Sequence, residues 1–110
     1  MAFPIFSYRT IILDMYQKSD KRFLYYIIDL YLRGEIDEST FCDELYYSYV
    51  LEIDESTLTS VENKIFSELE AITSRFSEFE EDYQMDSKAF ATKDEVRKEI
   101  NRVKEILLDN

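Results

Sequence analysis

The sequence predicts an all-α fold, an antiparallel four-helix bundle with an additional N-terminal segment, and three observations carry that expectation. The 110 residues include one glycine and one proline, too few to turn the chain about every 8–12 residues as a β-sandwich or barrel requires. Apolar residues recur at steps of three and four over separate stretches. Helix-start and helix-stop signals punctuate those stretches at short intervals, as in bundles with short loops. Apolar residues make up 45% of the chain, so one core can form at this length without metal or disulfide. Residues 1–110 are therefore expected to be a single helical domain, with 1–20 as an N-terminal extension.

Taken in order, residues 8–17, YRTIILDMYQ, read equally as a short helix or an extended arm. Residues 20–33, DKRFLYYIIDLYLR, place Phe23, Ile27, Leu30 and Tyr31 on one line with Leu24 and Ile28 beside it. A buried strand would share that composition, but the length favours a helix, as does the ending. Arg33 suits a helix C-terminus and Gly34 the left-handed residue beyond it.

The hexapeptide EIDEST then occurs twice, at 35–40 and 52–57. In the first copy Asp37 is the expected N-cap, with Ile36 and Phe41 at hydrophobic-staple spacing. Phe41, Leu45 and Tyr49 continue a second helix to about residue 51. The second copy repeats the arrangement with Ile53, Asp54 and Leu58, although Thr59 and Glu62 offer a competing capping box that would start the helix near residue 60. Leu58, Val61, Ile65, Leu69, Ile72, Phe76 and Phe79 carry this third helix. Residues 80–91 break the period and read as the longest connection. Thr92 and Glu95 form a further capping box before Val96, Ile100, Val103 and Leu107, and Asp94 and Lys98 stand at a favourable i, i+4 spacing.

The chain has no histidine and one cysteine. This excludes His–Cys zinc sites, Ser–His–Asp triads and an internal disulfide, and one glycine excludes a phosphate-cradling loop. No cofactor is expected, nor is catalysis, though carboxylate-only chemistry stays open. Cys42 has no basic neighbour in sequence and reads as a small buried hydrophobe. The unpaired cysteine and the absence of a signal-peptide pattern point to the cytoplasm. The longest unbroken apolar run, FLYYII, is too short to span a bilayer.

The net charge is −11, and its placement is uneven. Residues 35–87 hold sixteen acidic side chains against Lys64 and Arg75, while both flanks are slightly basic. Such a field repels nucleic acid and anionic membrane and speeds encounter with a basic partner.

The order of features is similar to a known family. A helix ending in YLRGEID, a second containing STFCDELYYSYV, a third ending in RFSEFEEDY and a closing KDEVRKEINRVKEIL resemble the colicin D-type immunity proteins, which include immunity partners of contact-dependent growth inhibition toxins. The resemblance covers residues 23–108. It implies a small four-helix, non-enzymatic protein that binds the C-terminal nuclease domain of a cognate tRNA-cutting toxin. Acidic residues near the end of the third helix would then face the toxin's basic cleft. The matching positions are Glu80 and Asp82, with Glu78 and Glu81 alongside. The colicin D member carries a proline in its version of this stretch, and this chain has none.

Four carboxylates at a helix C-terminus oppose the helix dipole by about 0.3–1 kcal/mol each, a cost that a binding role explains. Asp37 and Asp54 read as caps, while Glu52 and Glu55, with Glu35 and Glu38, could rim an acidic toxin-binding face. Tyr46, Tyr47 and Tyr49 read mainly as half-buried core, with interface contact as the other use of tyrosine. Two other functions share these features: an acidic DNA-mimic-type regulator of a nucleic-acid-binding protein, and a helical adaptor whose charge serves solubility.

Overall fold

The computed structural model describes residues 15–85 and 89–108. Within them, the all-α expectation holds. Helix α1 (Lys21–Leu32) begins where Asp20 accepts the Arg22 backbone N–H at 2.9 Å, satisfying one of the free donors of the first turn. Its apolar face, Phe23, Leu24, Ile27, Ile28 and Leu30, is fully buried. Gly34 has φ +77°, and the Gly34 and Glu35 N–H groups return to the carbonyls of Tyr31 and Leu30 at 3.0 and 2.9 Å. These two bonds close the last turn only because residue 34 is left-handed. No atom lies within 4 Å of a Cβ built there, so conformation rather than space favours glycine. Of the ambiguous segment 8–17 and the extension 1–20, residues 1–14 lie outside the described residues.

Helix α2 (Glu38–Leu45) starts as expected, with Asp37 accepting the Thr40 N–H at 2.8 Å. Ile36 and Phe41 are both buried in the core, consistent with a staple. The helix then widens into a π turn, Tyr46–Val50, in which Leu51 N–H bonds to Tyr46 O and Ile53 N–H to Ser48 O. This turn is absent from the periodicity. It keeps Ser48 and Tyr49 inward: the Ser48 hydroxyl donates to the Lys18 carbonyl at 2.6 Å and the Tyr49 hydroxyl to Asn63 Oδ1 at 2.7 Å.

The second EIDEST departs from the first. Asp54 accepts from the N–H of Ser56, two residues on, and caps only a single 3₁₀ turn, Glu55–Thr57. Helix α3 (Ser60–Thr73) begins instead at the Thr59 capping box, in which the Glu62 N–H bonds Thr59 and the Thr59 N–H bonds the Glu62 carboxylate. The box prevails because Glu62 is also held by Tyr25 at 2.5 Å and Lys21 at 3.1 Å, both on α1.

The third helix is shorter than its apolar spacing predicts. It ends at Thr73, where the Thr73 and Ser74 hydroxyls turn back to the carbonyls of Glu70 and Ala71, the local competition typical of such side chains. Beyond it, Phe76 forms an isolated bridge with Ala91. The Ala91 N–H bonds Arg75 O at 2.7 Å and the Ser77 N–H bonds Ala91 O at 3.2 Å, pairing that a continuing helix would forfeit. The expected connection 80–91 contains a short helix, α4 (Glu80–Met85). Helix α5 (Lys93–Leu107) is capped by Thr92 and buries Val96, Ile100 and Val103. Asp94 pairs with Arg97 at 2.9 Å in place of the expected Lys98.

Helix α2 packs against α1, α3 and α5, and α3 packs against α5. Phe23, Phe41 and Phe66 are the largest fully buried side chains, each contributing about 1.5–3 kcal/mol by leaving water. Polar ties fix how the helices meet at their edges. Tyr31 of α1 donates to Glu38 of α2 at 2.6 Å, and Arg102 of α5 reaches both its helix neighbour Glu99 and Glu68 of α3.

Candidate functional site

The early termination of α3 opens a groove of about 430 Å³ between α2 and the segment that follows α3. One wall is built from α2 and its π turn, through Ser39, Cys42, Asp43, Tyr46 and Tyr47. The other comes from Glu70 at the end of α3 and from Phe76, Glu78 and Phe79 beyond it. The π turn leaves Tyr46 46% and Tyr47 44% exposed, and Phe79 is 59% exposed. The bridge to Ala91 pins the start of the second wall. Its continuation is held by Ser77, whose buried hydroxyl accepts the Phe79 N–H and donates to Asp82.

Asp43, Glu70 and Glu78 form no ion pair among the described residues. By contrast Lys18, Lys21, Arg22, Arg33, Arg97 and Arg102 are all paired with carboxylates elsewhere. The groove therefore offers hydrogen-bond acceptors over aromatic faces, a combination suited to a cation that donates hydrogen bonds. Cys42 borders it as a thiol, because burial together with Asp43, Glu38 and Asp37 pushes its pKa up to about 12. That agrees with its reading as an inert side chain. Among the described residues there is no cluster of metal-ligating side chains. No helix is long and apolar enough to cross a membrane.

The sequence-predicted residues divide. Glu78 lines the groove. Glu81 is exposed on α4 and Asp82 is tied to Ser77. Glu80 opens α4, and its side chain lies outside the described set. Because α3 ends at Thr73, these residues are not at a helix C-terminus. Glu80, Glu81 and Asp82 occupy the first turn of α4, where the dipole favours carboxylates, so the expected electrostatic cost there does not arise. Glu52 and Glu55 are exposed on the connection between the π turn and α3, and neither lines the groove.

Sequence reasoning missed Asp43 and Glu70, whose spacing within their helices resembles that of any solvent-facing acid. It also missed the outward turn of Tyr46 and Tyr47. The one available signal was Ser48, a small polar residue inside an aromatic run that the π turn buries.

The strongest carboxylate shift lies away from the groove. Burial alone would raise Glu62, but the Thr59 N–H, the Tyr25 hydroxyl and Lys21 together hold it down at about 2. Tyr25 and Tyr31 move upward through burial and their bonds to Glu62 and Glu38, Tyr31 to about 12. These groups join helices, and none of them lines the groove. No family model, curated protein or solved structure matches this chain.

Proposed function

We propose that this chain is an immunity-type inhibitor, a non-enzymatic cytoplasmic protein that neutralises the basic nuclease domain of a cognate toxin. The order of its helices and acidic stretches resembles colicin D-type immunity proteins, which points to a tRNA-cutting toxin. The observation that carries the reading is the groove. Asp43, Glu70 and Glu78 stand without cation partners among the described residues, between exposed aromatic side chains. A nuclease cleft must hold phosphates with Lys and Arg, and carboxylates placed there accept the same charge-assisted bonds in place of substrate. The partner is thus a basic protein, with neither nucleic acid nor membrane bound directly.

An antiparallel four-helix bundle is the framework this reading assumes. Tyr49, in the π turn after α2, bonds Asn63, early in α3, which holds the end of one helical stretch against the start of the next. In this arrangement Glu78, Glu81 and Asp82, with Glu80 in the same stretch, form the contact edge. Glu52 and Glu55 contribute at longer range to the field that steers encounter.

The test is to look for a nuclease-toxin gene beside the one for this chain and to co-express its nuclease domain with the chain. Glu78→Lys combined with Glu81→Lys is expected to abolish protection while the circular dichroism stays helical. Raising salt from about 50 to about 300 mM should slow association of the wild-type chain about tenfold. Full protection by the double variant overturns the assignment of the contact edge. Association that is indifferent to salt favours an adaptor over an inhibitor.

A further inference from the structure

We propose that the groove is a receptor for a single arginine side chain, presented on an extended segment of the basic partner. The proposal deepens the inhibitor reading and rests on it for the identity of that partner as a basic protein.

The chain itself uses the required chemistry twice. Lys18 Nζ lies 5.0 Å from the centre of the Tyr47 ring and 3.4 Å from the Glu44 carboxylate. The Arg22 guanidinium lies 5.2 Å from the Tyr16 ring centre and 2.6 Å from Asp20. In both places a cation sits over a tyrosine face with a carboxylate at its side. The groove assembles the same two components: the rings of Tyr46, Phe76 and Phe79, and the carboxylates of Asp43, Glu70 and Glu78. Among the described residues, no lysine or arginine lines it. Arg75, the nearest in sequence, directs its Nε to the Ala71 carbonyl at 3.1 Å.

Geometry selects arginine over lysine. The three carboxylates arise from α2, from α3 and from the segment after α3, so acceptors approach the groove from separate walls. A planar guanidinium can stack on a ring face while its in-plane N–H groups reach acceptors on more than one side. An ammonium is compact, more strongly hydrated and without a face to stack. Lys18 already occupies a face of Tyr47, which leaves Tyr46 and Phe79 as the exposed rings for an incoming side chain. The groove volume lies toward the lower part of the range of about 300–1,000 Å³ typical of ligand sites, suited to one side chain with its flanking backbone.

The experiment titrates the full chain, labelled for backbone amide NMR, with three probes. These are the peptide Gly-Arg-Gly-Arg-Gly, its citrulline counterpart and its lysine counterpart. The arginine peptide is expected to give saturable shifts confined to residues 39–47 and 70–79. Citrulline, which keeps the shape and loses the charge, should give none, and lysine should bind about threefold more weakly. Phe79→Ala, at an exposed position outside the core, should weaken the arginine peptide about threefold and remove its advantage over lysine. Val61→Ala, an uncharged exposed position on α3 that does not line the groove, should leave the titration unchanged.

Shifts spread evenly over the acidic surface overturn the proposal, as does equal binding of citrulline. Because the peptides need no toxin, the two readings fail separately. Neutralisation of the nuclease domain without peptide binding in the groove removes the arginine receptor. Specific peptide binding without neutralisation keeps the receptor and removes the toxin assignment.

Discussion

The two copies of EIDEST are the same six residues with different structures. At 35–40 the aspartate accepts an N–H three residues on and an α-helix follows. At 52–57 it accepts from two residues on, the Ser56 and Thr57 hydroxyls also bond to Asp54, and the chain makes one 3₁₀ turn before Leu58 extends. What differs is the surroundings. The first copy is entered through left-handed Gly34 and followed by Phe41 and Leu45, both fully buried. The second is entered from a π turn and followed by Thr59 and Glu62, which form a better cap anchored to α1. A cap contributes about 1 kcal/mol, whereas each large side chain behind it contributes more, so burial decides whether the cap becomes a helix.

That comparison can be broken first at its burial term. Phe41→Ala should cost about 3–5 kcal/mol in urea denaturation, and Leu58→Ala, at the edge of the core, about 2 kcal/mol. Equal costs would mean that the residue after the hexapeptide does not distinguish the copies.

The second test concerns the box that displaces Asp54. Glu62→Gln should cost about 2 kcal/mol near neutral pH by weakening bonds to a charged acceptor. Glu62 is depressed from 4.5 to about 2, so the wild-type protein binds fewer protons at this site when folded than when unfolded. Its contribution is complete above about 4.5 and is lost as pH falls toward about 2. The variant should therefore show a flatter acid limb of stability than the wild type. An unchanged limb would contradict the role given to Glu62.

The smallest effect sharpens the comparison most directly. Asp37→Ala should cost about 1 kcal/mol, and Asp54→Ala only a few tenths, because it caps a single exposed turn. A matched pair of denaturation curves checks this, and equal losses would show that the second copy also nucleates helix.

Much of the fold was legible beforehand because it depends on local chemistry. The Asp37 and Thr92 caps, the Gly34 stop and the inward line Phe23, Ile27 and Leu30 are set by neighbours within a turn or two. The groove was legible only in part. Glu78 was identified from its place in an acidic stretch, but on the mistaken premise that a helix ended there. Asp43 and Glu70 read as ordinary helix acids until the two walls face each other. Phe76 and Phe79 fit the helical period of α3, and only the pairing of Arg75 and Ser77 with Ala91 shows why they leave it.

By itself, then, the sequence determined the helical class, most helix starts, the buried stripes and the concentration of acid in residues 35–87. All of these follow from side-chain periodicity, capping and charge count along a short span. Tertiary structure decided where α3 stops, which EIDEST becomes a helix, and that carboxylates from α2, α3 and the segment after α3 meet exposed aromatics across one groove. The physical reason is the same in each case. A backbone N–H or a carboxylate chooses among partners of similar strength, and the partner that prevails can lie far beyond the local turn, 16 residues away for Arg75 and Ala91 and 37 and 41 for Glu62 with Tyr25 and Lys21.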